Sequence, residues 1–139
     1  MNEIQEEDLF GIDIVIHLAT AGVTPQIATW EELVDVNVLS GIKLMQKSTK
    51  ASVKRFICSG SAFEYGFNHN FEKIPPNAPL NPPNPYAASK VAGFQLMKSF
   101  AECENIEFLY GRIFTAFGEG QYSKNLWPSL KNAALNNLD

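Results

Sequence analysis

Apolar positions along the chain fall into three short continuous runs, separated by stretches in which they recur at helical spacing. The first run, Ile14-Val15-Ile16-His17-Leu18, opened by Asp13, reads as a strand buried on both faces of a parallel sheet. Residues 54–59 form a second strand, with Lys54 and Arg55 at its start, and residues 107–113 a third. Trp30, Leu33, Val34, Val38, Ile42 and Leu44-Met45 predict a helix over 28–50, broken near Ser40-Gly41. Val91, Phe94, Met97 and Ala101 form one apolar stripe of a helix over 85–104. Asn84 is a good N-cap for it, and Pro85 suits the first helical position, where a missing N–H costs nothing. Residues 126–136 predict a short terminal helix. Strands alternating with helices, without hairpin signals, predict an α/β fold with parallel crossovers.

The segment between the second strand and the helix over 85–104 contains Pro75, Pro76, Pro79, Pro82, Pro83 and Pro85. Each proline removes an N–H donor, which excludes helix and central strand and leaves a stiff surface connection. It departs from the carboxyl end of a strand, where open α/β sheets bind ligands, so part of it borders the expected site.

Within Asn84-Pro85-Tyr86-Ala87-Ala88-Ser89-Lys90, Tyr86 and Lys90 stand at i and i+4, on one helix face. An ammonium beside a phenol favours phenolate, which fits the phenol for proton exchange with an alcohol or sugar hydroxyl. Such a pair occurs by chance on many helices. Its surroundings distinguish it. Upstream lie Asp13-Ile14-Val15-Ile16-His17-Leu18-Ala19-Thr20-Ala21 and Phe56-Ile57-Cys58-Ser59-Gly60-Ser61-Ala62-Phe63-Glu64-Tyr65-Gly66. Downstream, Leu109-Tyr110-Gly111-Arg112-Ile113-Phe114 runs into Thr115-Ala116-Phe117-Gly118-Glu119-Gly120-Gln121.

In this order and spacing, the four segments resemble the extended short-chain dehydrogenase/reductases, the sugar-nucleotide epimerase/dehydratase family. The resemblance runs from about Asp13 to Leu126. It implies a Rossmann-like parallel sheet, NAD or NADP as cofactor and a nucleotide-linked sugar as substrate. It also implies a catalytic triad of Ser61, Tyr86 and Lys90, Ser61 being the serine before the stretch that ends in Tyr65-Gly66. By the same analogy Leu18, Ala19, Thr20 and Ser59 line the cofactor cleft with Tyr86 and Lys90, and Phe114 neighbours the nicotinamide. A homodimer through the 28–50 and 85–104 helices is implied as well.

Departures from the family pattern refine this expectation. The glycine-rich pyrophosphate loop that normally opens a dinucleotide fold is not found, since Gly11 precedes the first strand and no second glycine follows at useful spacing. Residues 1–139 therefore read as the central to C-terminal half of a dinucleotide-binding domain, without the N-terminal strands or the C-terminal substrate domain. A truncated, inactive remnant or an interaction module of the same fold is the alternative. Dehydratases of the family carry acid/base residues directly after the catalytic Ser/Thr, where Ala62 and Phe63 stand here. Glu64 comes one step later, and strand alternation turns it the other way. A reductase or epimerase is the expectation. Thr115 stands where many relatives have an asparagine that contacts substrate.

Other residues have plainer readings. Asn37 is expected to bond backbone, and His17 to sit in the core. Arg112 faces either a phosphate or a carboxylate. Glu3, Glu6, Glu7 and Asp8 read as a solvated helix face.

Composition adds bounds. The 139 residues suffice for one domain, and 45% apolar content with ten phenylalanines marks a globular chain. A net charge of −4 gives no support to nucleic-acid binding. Cys58 and Cys103 form no metal or redox motif, and reduced thiols fit a cytoplasmic protein. No apolar run reaches membrane-spanning length.

Overall fold

The computed structural model describes residues 4–23, 27–67 and 72–136. Three parallel strands, β1 (Ile14–His17), β2 (Arg55–Ser61) and β3 (Glu107–Ile113), lie side by side in chain order. Ile14 pairs with Arg55 at the start of the first ladder, and Ser61 with Ile113 at the end of the second. Helices α1 (Trp30–Val34) and α2 (Ser40–Lys50) connect β1 to β2, and α3 (Pro85–Glu104) connects β2 to β3. Helix α4 (Leu126–Asn136) follows β3. The fold is a Rossmann-like α/β sheet with flanking helices: the alternation predicted the parallel α/β class, and the family resemblance implied the Rossmann-like sheet.

The helix ends follow local chemistry. Thr29 caps α1 with a capping box, its hydroxyl accepting from the Glu32 N–H while the Glu32 carboxylate accepts from the Thr29 N–H. The Asn84 side chain accepts from the Ala87 N–H, and Asn105 ends α3 in the left-handed conformation that asparagine tolerates.

No break occurs at Ser40-Gly41. Instead a π-helical turn, Asp35–Leu39, joins α1 to α2 without a gap, and the Ser40 N–H reaches the Asp35 carbonyl five residues back. The inserted residue lets Leu33, Val38 and Met45 all point inward, at 4%, 7% and 0% exposure. It also buries Asn37.

The core lies on one side of the sheet. Val15, Phe56 and Cys58 from the strands meet Met45 of α2 and Met97 and Ala101 of α3. Gly93 lets α3 approach the π turn closely: a Cβ there would lie 2.3 Å from the Asn37 carbonyl oxygen.

The other sheet face departs from expectation. Strand β1 alternates between exposed and buried positions, with Ile14 and Ile16 at 44% and 61% exposure. Leu109 and Ile113 of β3 are likewise half exposed. The continuous apolar run reads as doubly buried, but no helix among the described residues covers this face.

The acidic start forms a short 3-10 turn, Glu7–Leu9, with Glu7 and Asp8 exposed and Leu9 buried; Glu3 lies outside the described residues. Among the described residues, no helix is long and apolar enough to cross a membrane and no group of three or more His, Cys, Asp or Glu could hold a metal ion.

Candidate active site at the carboxyl ends of the strands

The loop after β1, the last residues of β2 and the first turns of α3 converge on one another. Their organising residue is Asn37, 4% exposed in the π turn. Its Oδ1 accepts from the Ala21 N–H (2.9 Å) and the Thr20 hydroxyl (3.0 Å). Its Nδ2 donates to the Ala21 carbonyl (3.1 Å) and Ser89 Oγ (2.8 Å). The expected backbone bonding is present, and the amide also reaches α3. Ser89 in turn donates to the Tyr86 carbonyl at 2.7 Å. The loop carrying Ala19 and Thr20 is thus tied to the turn that carries Tyr86.

Tyr86 is half-buried in the first turn of α3. Its ring lies beside Gly22, where a Cβ would approach Tyr86 Cδ2 to 3.3 Å. Gly22 has φ +82°, so the loop can turn against the ring without a side chain in between. Lys90, one turn on, is only 4% exposed. Burial pushes its ammonium below the usual lysine range, opposed by the negative potential of Cys58 and Glu64.

Ser61 ends β2 and is 8% exposed. Its hydroxyl accepts from the Phe63 N–H at 3.3 Å. Ser59 is half-buried one residue pair earlier on the strand, while Leu18 and Phe114 are exposed at 61% and 59%.

Glu64 was misread. The chain leaves the strand at Ser61 and enters a 3-10 turn, Ala62–Tyr65, so strand alternation no longer applies. Glu64 folds back and is fully buried, its Oε1 accepting from the Ser61 N–H at 2.7 Å. Arg112 Nε donates to Oε2 at 2.7 Å, so the arginine faces a carboxylate. The guanidinium carbon lies 4.5 Å from the Phe94 ring centre and 5.0 Å from that of Tyr65, two cation–π contacts. Tyr110 was likewise not singled out in the sequence. Its hydroxyl lies 2.9 Å from Glu64 Oε1 and 3.1 Å from the Lys90 carbonyl oxygen, one proton shared between two acceptors. Burial, reinforced by Glu64, pushes the Tyr110 phenol far above its ordinary range and holds it protonated. The spacing of an acidic residue three places after a strand-end serine, a capping-box pattern, was the available signal.

Tyr65-Gly66 anchors the proline-rich loop. Tyr65 donates to the Pro76 carbonyl at 3.2 Å, and the Asn81 N–H to the Glu64 carbonyl at 3.0 Å. Gly66 has φ +79°, and a Cβ there would lie 2.4 Å from the Asn81 carbonyl oxygen.

A family model described as "NAD dependent epimerase/dehydratase family" matches residues 3–138, nearly the entire chain. The chain belongs to the NAD-dependent epimerase/dehydratase family. It is 32% identical over 108 residues to UDP-glucose 4-epimerase of Lactobacillus helveticus, covering 77% of this chain and 32% of that one. Among solved structures, UDP-N-acetylglucosamine 4-epimerase from Methanobrevibacter ruminantium M1, in complex with UDP-N-acetylmuramic acid, superposes with a TM-score of 0.83. Identity there is 28%, over 96% of this chain and 44% of the other. MoeE5 in complex with UDP-glucuronic acid and NAD gives a TM-score of 0.78 at 28% identity, over 92% and 43% of the two chains. The chain thus spans less than half the length of these relatives. NAD or NADP is the family's cofactor.

Proposed function

We propose that residues 1–139 form the central to C-terminal half of a dinucleotide-binding domain in a cytoplasmic, NAD(P)-dependent sugar-nucleotide reductase or epimerase. The observation that carries this reading is a buried Lys90 one helical turn after a half-buried Tyr86 on α3, with a buried Ser61 at the end of β2.

In this reading Tyr86 takes the proton of a sugar hydroxyl and returns it in the reverse direction. Lys90 holds the resulting phenolate and bonds the cofactor ribose. Ser61 donates to the oxygen on which charge develops. The nicotinamide, when bound, supplies hydride acceptance and return. A positioned acid/base of this kind contributes about 10²–10⁴-fold. Leu18, Ala19, Thr20 and Ser59 line the cofactor cleft and Phe114 flanks the nicotinamide. The substrate is a nucleotide-linked sugar. The dehydratase chemistry is disfavoured because Glu64, the only carboxylate near Ser61 in sequence, is already engaged by three donors. Exposed Trp30, Val34, Leu39 and Leu96 offer apolar surface for a homodimer through the 28–50 and 85–104 helices.

The uncovered sheet face favours a second reading, an inactive remnant or an interaction module of the same fold. Calorimetric titration of the purified chain with NAD⁺ and NADP⁺ separates the two. Binding at millimolar cofactor or below, together with turnover of a UDP-sugar that Tyr86→Phe abolishes, supports the enzyme. Absence of any heat sinks autonomous activity, and unchanged turnover in Tyr86→Phe refutes the role given to the phenol.

A further inference from the structure

The Glu64 carboxylate is fully buried, yet the chemistry proposed above makes no use of it. A buried ion pair is weak evidence for stability, since apolar residues of similar volume often do as well. Its value here lies in what it joins. Oε1 receives the Ser61 N–H (2.7 Å) and the Tyr110 hydroxyl (2.9 Å), and that hydroxyl also touches the Lys90 carbonyl (3.1 Å). Oε2 is fixed by Arg112 (2.7 Å), whose guanidinium is held between aromatic rings. Gly60 leaves room for this arrangement: a Cβ there would lie 2.2 Å from the Tyr110 ring and 2.7 Å from Glu64 Oε1.

We infer that Glu64 is a positioning residue, whose Arg112-anchored carboxylate fixes the Ser61 backbone at the end of β2 relative to the Lys90 turn of α3. Two of the three proposed catalytic residues are thereby referred to one buried group, through main-chain bonds and not through their side chains. The inference rests on the catalytic reading of Ser61 and Lys90 for its purpose, though not for its geometry.

The test uses Glu64→Leu/Arg112→Leu, which removes both charges together and avoids an unpaired buried ion, and Tyr110→Phe, which keeps the ring and loses only the hydroxyl. The expected result for the double variant is a near-native melting temperature with Ser61 amide hydrogen exchange about 10–100-fold faster, while the Phe56 and Cys58 amides stay protected. Tyr110→Phe is expected to leave Ser61 bonded to Glu64 and to perturb the amide and side-chain resonances of the Lys90 turn. With a turned-over nucleotide sugar, both variants should lower kcat; the double variant should leave KM for the cofactor unchanged, while Tyr110→Phe, which acts on the Lys90 turn, should raise it. Native protection of Ser61 in the double variant, or a uniform loss along the whole strand, would overturn the inference. A wild-type chain without turnover would instead refute the catalytic reading, and the exchange measurement would still decide whether the tether exists.

Discussion

Asn37 and Ser89, 52 positions apart, are joined by a 2.8 Å hydrogen bond that locks the π turn of the first crossover to the first turns of the second. All four hydrogen-bonding capacities of the asparagine amide are used, two as donor and two as acceptor. Asn37→Ala would strip partners from both polar groups of Ala21 in a part-buried site, and each such loss costs about 1–3 kcal/mol. We expect Asn37→Ala to lower the unfolding free energy by at least about 2 kcal/mol in urea titration. Asn37→Asp should not restore it, because a carboxylate presents no donor to the Ala21 carbonyl. A native urea midpoint for Asn37→Ala would contradict this account.

Gly93→Ala sets two effects against each other. Alanine favours helix over glycine by up to about 1 kcal/mol. The added methyl, however, would lie 2.3 Å from a backbone carbonyl, that of Asn37, which has little freedom to move. Overpacking of this kind costs about 1–3 kcal/mol, so net destabilisation is the expected outcome. Gly41→Ala is the contrast, because its Cβ meets the flexible Met97 thioether at 3.0 Å. Thermal melts should rank Gly93→Ala below Gly41→Ala.

Buried at the end of β1, His17 has its pKa lowered by burial first and by the Lys90 charge second. A depressed folded-state value means that the unfolded chain binds the proton more readily. The histidine's contribution is therefore present above its ordinary pKa, near 6.5, and is lost as pH falls through the lower folded value. Urea stability should decline between about pH 7.5 and 5 more steeply in the wild type than in His17→Gln. Parallel slopes would show that the imidazole does not contribute.

Cys58 and Cys103 should differ in reactivity. Burial pushes the Cys58 thiol up to about 11, whereas Cys103 is exposed on α3. Because thiolate is the reactive form, iodoacetamide should alkylate Cys103 in the folded chain at least about tenfold faster than Cys58. Peptide mass spectrometry measures the ratio, which should collapse in denaturant. Equal native rates would mean that the strand opens readily.

Much of this arrangement was legible in the residues, and the exceptions have physical causes. Helices α3 and α4 and strand β3 span 85–104, 126–136 and 107–113, the ranges their periodicity and caps predict. Strand β2 was expected to stop at Ser59 but continues to Ser61, because Gly60 and Ser61 still pair with Arg112 and Ile113. Small residues signal turns, yet here Gly60 makes room for a ring from the neighbouring strand. A π turn leaves almost no mark on hydrophobic spacing, so it was read as a break a few residues late. The buried network around Glu64 was hidden for another reason. Its members come from a turn and a distant strand, and only the three-dimensional register brings them together.

The π turn has one more consequence. An α-helix advances about 100° per residue, so an extra residue resets the angular bearing of everything beyond it. Excising one position between Asp35 and Leu39 would let the crossover run as a single regular spiral while swinging Leu33 and Met45 out of step. The irregularity works like a vernier, aligning two faces that no uniform screw could serve at once.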